Sequence, residues 1–127
     1  MEPLTSEKAT HYPRTVARYV EAFNTQDLET LGALFLPQAV LVAPVDVQVR
    51  GREAIVDYIA QKGQGMRIEP LDIELVEDTI CLSGRIHAPA FHLRARWHFR
   101  LIDEQIARLH LRLLASLQEL LPLKDQA

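Results

Sequence analysis

FHLRARWHFRL, residues 91–101, alternates without a break. Phe91, Leu93, Ala95, Trp97, Phe99 and Leu101 are apolar. Every residue between them is His or Arg: His92, Arg94, Arg96, His98 and Arg100. Side chains on a strand alternate between its two faces, so the segment predicts a strand with one greasy face and one basic face. Three neighbouring segments share the period of two: IEPLDIELVE (68–77), TICLSGRIHA (79–88) and IARLHLRLL (106–114). Short breaks at Asp78, Pro89 and Asp103–Gln105 separate the four, which fits an antiparallel meander of long strands. Pro70 cannot donate to a ladder, so the first strand lies at an edge or carries a bulge.

Upstream the period is helical. Pro13 suits a first turn, and Val16, Val20 and Phe23, with Tyr19 beside them, mark a helix over 13–24. Asn24-Thr-Gln-Asp27 supplies N-caps for a second short helix carrying Leu28, Leu31, Leu34 and Phe35, which Pro37 ends. AVLVAP (39–44) and VQV (47–49) read as short strands. Gly51 opens a third helix, and Gly63 and Gly65 close it. In the tail, Leu114, Leu117, Leu120 and Leu121 have the spacing of a short docked helix. The order is α-α-β-β-α followed by four β, an α+β domain with helices in front and a sheet behind. One domain fills 1–127, with its core at about 13–114 and a tail from 115.

The chain has 127 residues, 48% hydrophobic and 24% charged, enough for one core. A net charge of -3 points to neither nucleic acid nor a membrane surface. No apolar run approaches the ~20 residues that span a bilayer, the opening MEPLTSEKATH has no apolar leader core, and Cys81 is the single cysteine. The expectation is a soluble cytoplasmic protein with no membrane or nucleic-acid partner. The average hides a sorting of charge. Residues 85–112 hold Arg85, Arg94, Arg96, Arg100, Arg108 and Arg112, six of the 14 basic side chains, along with His87, His92, His98 and His110. Residues 69–78 hold Glu69, Asp72, Glu74, Glu77 and Asp78 and no base.

Three phrases, VARYVEAFNTQDLETLGALF (16–35), VRGREAIVDYI (49–59) and RWHFRL (96–101), resemble the nuclear transport factor 2-like superfamily. That superfamily includes the SnoaL-like polyketide cyclases and the ketosteroid isomerases. The resemblance implies a cystatin-like cone, with three N-terminal helices on a curved, mixed, mostly antiparallel sheet, and apolar side chains from both layers facing an open gap. It also implies an outer sheet face that packs on a second copy. Ketosteroid isomerase works with an Asp base and an oxyanion hole of a Tyr and a protonated Asp. Its tyrosine context matches RYVEAF, which puts Tyr19 in that role. Its base context matches APV, where Ala43 stands, and its second acid context matches WHFR, where Trp97 stands. Neither Ala43 nor Trp97 can abstract a proton.

The expected function is therefore binding of a small apolar molecule in a pocket built from Phe23, Phe35, Ala43, Tyr58, Trp97, Phe99, Leu111 and Leu113. Tyr19 would donate a hydrogen bond to a ligand carbonyl, and Asp46 is a candidate replacement base. Each has a plainer alternative: Tyr19 as a core tyrosine, Asp46 as a cap of its own turn, the pocket as a core filled by side chains. Any catalysis would be of isomerase, cyclase or dehydratase type. No cofactor and no metal is expected, because the histidines share their face with arginines. A homodimer through the sheet would pair Arg85, Arg94, Arg96, Arg100, Arg108 and Arg112 with Asp72 and Glu74 of a second copy. The alternative function is a non-catalytic interaction module that uses the same basic face.

Overall fold

The structure is a computed structural model and describes residues 13–114. Both the opening segment and the Leu-rich tail from 115 lie outside the described residues. Helix α1 (Arg14–Thr25) buries Val16, Tyr19, Val20 and Phe23 on one side. Gln26 ends it in the left-handed conformation, and Asp27 starts α2 (Leu28–Leu34) by accepting from the Thr30 amide at 3.2 Å and hydroxyl at 2.7 Å. The caps read from NTQD are thus split, one residue ending a helix and the next opening another.

Strand β1 (Phe35–Ala43) begins where the sequence reading still had helix. Phe35 is extended, and the chain passes through Pro37 as strand. Pro37 lies where the β1–β6 register shifts, between Phe35 and Val40, so its missing amide costs the ladder nothing. A turn at Pro44–Asp46 leads to β2 (Val47–Arg50), then Gly51 and α3 (Arg52–Lys62). Gly51 has φ of 96°, a conformation that favours glycine. Beside it, the Arg52 guanidinium donates twice to the Phe35 carbonyl, at 3.1 and 2.8 Å, and fixes α3 to the start of β1.

The meander follows as β3 (Arg67–Val76), β4 (Thr79–His87), β5 (His92–Ile102) and β6 (Gln105–Leu113). The six-stranded sheet has the order β2-β1-β6-β5-β4-β3. Only β1 and β6 run parallel; the other four pairings are antiparallel. Pro70 occupies an edge strand and also a bulge, between Pro70 and Asp72. Asn24 clips α1 to β3 by a reciprocal pair of bonds with the Ile68 backbone, 2.9 and 2.7 Å. The core lies between the helices and the inner sheet face, and includes Leu31, Phe35, Ile55, Ile68, Leu82, Trp97, Phe99, Ile106 and Leu109. No helix among the described residues is long and apolar enough to cross a membrane.

Candidate functional site

Alternation in β5 holds along its length: Ala95, Trp97 and Phe99 are buried, while Arg94, Arg96 and Arg100 are exposed. The greasy half of FHLRARWHFRL therefore faces the helices. Between the two layers lies a cavity of about 270 Å³ that opens to solvent at one end. Helix α1 contributes Tyr19 and Phe23 to its wall; α3 contributes Tyr58, Ile59 and Lys62, followed by Gly63 and Met66. The sheet supplies Leu41 and Ala43 from β1, Ile68, Ile86, Leu93, Trp97, Leu111 and Leu113, with Pro44 and Phe91 beside them. Phe91 and Leu113, both about two-fifths exposed, give the mouth an apolar rim.

Six of the eight expected pocket residues line this cavity: Phe23, Ala43, Tyr58, Trp97, Leu111 and Leu113. Phe35 and Phe99 do not. Both are fully buried and hold the Tyr19 ring from behind, edge-on, at centroid distances of 6.2 and 5.4 Å. Parity alone puts Phe99 on the inner face, but it packs in the filled core behind Tyr19 and not on the cavity wall. Asp46 is exposed and outside the cavity wall, in the turn after β1, so it is in no position to act as a base inside. Lys62, Met66, Leu41, Ile59 and Ile68 were not singled out from sequence. The helical spacing from Tyr58 to Lys62 was the signal available for Lys62.

Two donors stand on the wall. Tyr19 is 3% exposed and Trp97 1%, and neither the Tyr19 hydroxyl nor the Trp97 indole N–H has a hydrogen-bond partner among the described residues. Buried Tyr and Trp polar groups usually have one. The buried side-chain nitrogen or oxygen without a partner, among the described residues, is His98 Nε2; the Tyr19 and Trp97 side chains both line the cavity. Burial pushes the Tyr19 pKa well above its ordinary 10.0, so the hydroxyl stays protonated and able to donate. The wall holds no Asp, Glu or His among the described residues, and Lys62 is its one charged member. Such a lining can hold an apolar body and hydrogen-bond one acceptor; it has no carboxylate or imidazole to take a proton from carbon.

The fold has counterparts in known proteins. The model of the SnoaL-like domain matches residues 16–109. The chain belongs to the SnoaL-like domain family. Among solved structures, it is similar to OCP1 of Fremyella diplosiphon, at 28% identity and a TM-score of 0.75 over 87% of this chain and 38% of that one. It is similar to the Orange Carotenoid Protein of Anabaena (Nostoc) that binds canthaxanthin, at 26% identity and a TM-score of 0.74, again over 87% and 38%. A proposed polyketide cyclase of Sinorhizobium meliloti is 24% identical, with a TM-score of 0.72 over 80% of this chain and 96% of that one. This SnoaL-like chain spans about two-fifths of the length of the first two. No match is found among curated proteins.

The outer sheet face of this SnoaL-like domain carries the charge sorting read from sequence. Cross-strand partners are Arg85 with Arg94, Arg96 with Arg112, His98 with His110, and Arg100 with Arg108. Edge strand β3 adds Arg67, Glu69, Asp72 and Glu74, opposite His87, Arg85, Ser83 and Cys81. Glu69 accepts from His87 Nε2 at 2.7 Å, and this bond, more than burial opposes it, holds its pKa below the ordinary carboxylate value. Arg100 meets Asp78 at 3.3 Å, both exposed. For His98, burial first, then His110, Arg112 and Arg96, holds the pKa below its ordinary 6.5. Cys81 is half-buried, and burial raises its pKa, so the thiol stays protonated. Among the described residues, no three His, Cys, Asp or Glu side chains are grouped to hold a metal ion.

Proposed function

We propose that this protein binds a small, mostly apolar ketone in the cone, with its ring body against Phe23, Met66, Ile86 and Leu111 and its carbonyl oxygen accepting from Tyr19 and Trp97. The observation that carries the reading is the pair of unpartnered donors on an otherwise greasy wall. A pocket of this kind gains affinity from apolar burial and orientation from a few polar groups. Support also comes from the Anabaena relative, which binds canthaxanthin, a long apolar polyene with ring ketones at its ends. At about 270 Å³ the cavity admits a ring-sized group, and a longer ligand leaves its remainder outside the apolar mouth. The reading is of binding without proton abstraction, since the wall lacks a base among the described residues. The cytoplasmic setting belongs to the same proposal; a lone cysteine suits a reducing compartment. Native mass spectrometry of the protein incubated with β-ionone, a ring ketone of fitting size, and with canthaxanthin tests it. One ketone retained per domain is expected; bare protein with both compounds would count against it.

A second reading concerns assembly, and the observation behind it is the acidic edge strand beside the basic centre of the sheet. We propose that two copies pack sheet to sheet, with Asp72 and Glu74 of each facing Arg85, Arg94, Arg96, Arg100, Arg108 and Arg112 of the other around a two-fold axis. Arginine forks suit carboxylates in such a contact. Light scattering at physiological salt should give twice the chain mass of 14.4 kDa, and a single chain mass would refute it.

A further inference from the structure

The outer sheet face has a hollow of its own, separate from the cone. It measures about 300 Å³ and is lined by Thr79, His98, Arg100, Arg108, His110 and Arg112. No carboxylate lines it among the described residues. The ladder builds it: Arg100 faces Arg108 and His98 faces His110 across β5 and β6, with Arg112 opposite Arg96 one row on. Like charges set directly opposite each other repel, so this pairing costs stability. Arg96, Arg108 and Arg112 are exposed and have no ion pair with a described residue.

A second copy does not balance the account. The outer face of β3–β6 carries seven arginines, Arg67, Arg85, Arg94, Arg96, Arg100, Arg108 and Arg112, against four carboxylates, Glu69, Asp72, Glu74 and, from the β3–β4 turn, Asp78, which meets Arg100. Each copy brings the same excess of three to a sheet-to-sheet contact, so the two faces alone leave arginines unmatched. Guanidinium groups on two neighbouring strands, with a threonine hydroxyl beside them, match the several acceptor oxygens and double charge of a phosphate group. A nucleic-acid partner fits less well, because the large aromatics of β5, Trp97 and Phe99, are buried on the opposite face and offer no stacking platform.

We propose that this hollow binds a phosphate group carried by a soluble, phosphorylated small molecule. The site is independent of the ketone reading of the cone, and a sheet-to-sheet dimer that engages Arg100, Arg108 and Arg112 would compete with it.

Isothermal titration of the full chain at about 50 mM salt, with ionic strength held constant, tests it. The probes are inorganic phosphate and glycerol 3-phosphate, with acetate and chloride as comparison anions and phosphatidic acid vesicles as a membrane arm. The expected result is saturable binding of both phosphates at one site per chain, at least tenfold tighter than acetate. Arg108→Gln with Arg112→Gln should weaken it at least tenfold, whereas Arg67→Gln, on the same face but outside the hollow, should change it less than twofold. His110→Gln, less disruptive than the double change, should weaken it about threefold. Circular dichroism melts confirm that each variant is folded. Equal losses in Arg67→Gln and the hollow variants would reduce the effect to diffuse charge and overturn the proposal. So would vesicle binding without binding of free phosphate, or a dimer that depends on Arg108 and Arg112 while phosphate fails to bind.

Discussion

Tyr19 carries the ligand reading. Phe35 and Phe99 fix its ring edge-on and Phe23 lies beside it at 6.1 Å, so the hydroxyl is held by aromatic packing and not by a hydrogen bond. Tyr19→Phe keeps that packing and deletes only the donor. Ketone affinity should fall about fivefold, the value of about 1 kcal/mol for one hydrogen bond, while a denaturant melt shifts by less than about 0.5 kcal/mol. Trp97 makes the opposite case. It is 1% exposed, and an acid in its place would put a carboxyl between Leu82 and Leu111, its cross-strand neighbours, on a wall with no carboxylate or imidazole among the described residues. Trp97→Asp should cost about 4 kcal/mol or more in equilibrium unfolding, from lost packing plus a buried polar group. This residue was legible from sequence: WHFR already placed it where a related isomerase has an acid. What sequence could not show was depth. Phe99 has the same parity as Trp97, yet one packs in the filled core behind Tyr19 and the other lies on the cavity wall, because parity fixes a face and not a depth.

At the scale of elements, strand alternation and cap chemistry were legible, and boundaries were not. Phe35 continues the apolar spacing of α2, but Arg52, seventeen residues on, holds its carbonyl into the sheet. No local pattern announces a long-range bond of that sort. The turn at Pro44–Asp46, beside the cavity wall, was legible from its PVD sequence, but its left-handed backbone was not. Val45 there has φ 65° and ψ 30°, left-handed for a β-branched residue, and its side chain is 92% exposed. The conformation costs about 1–2 kcal/mol, and no packing is lost by replacing the side chain. Val45→Asn should therefore raise stability by about 1 kcal/mol, read as a higher urea midpoint at unchanged slope. An unchanged midpoint would mean that the turn is not held in this conformation.

For the whole molecule, the two faces of one sheet do different things, and pH separates them. The cone's wall has one charged group, Lys62. The outer face holds His98, whose pKa is lowered in the fold, by burial first. A base with a depressed folded pKa binds fewer protons in the native than in the unfolded state. Stability is then full above its ordinary 6.5 and falls as the pH drops through that value toward the folded one. Melting temperature should decline from about pH 7 to pH 5 in the wild type, and less in His98→Gln. The charge sorting behind this behaviour was readable as a pattern of strands. Its consequence, an arginine excess that a second copy repeats, needed the register.

The central claim is that the cavity of the cone is a ketone site, and the chain carries its own probe, because Trp97 is the single tryptophan. The decisive measurement is a titration of Trp97 fluorescence with β-ionone in the wild type and in Ala43→Phe, which fills the cavity from β1. Saturable quenching in the wild type that disappears in a folded Ala43→Phe is the predicted result. Quenching that is absent in the wild type, or equal in both proteins, would contradict it.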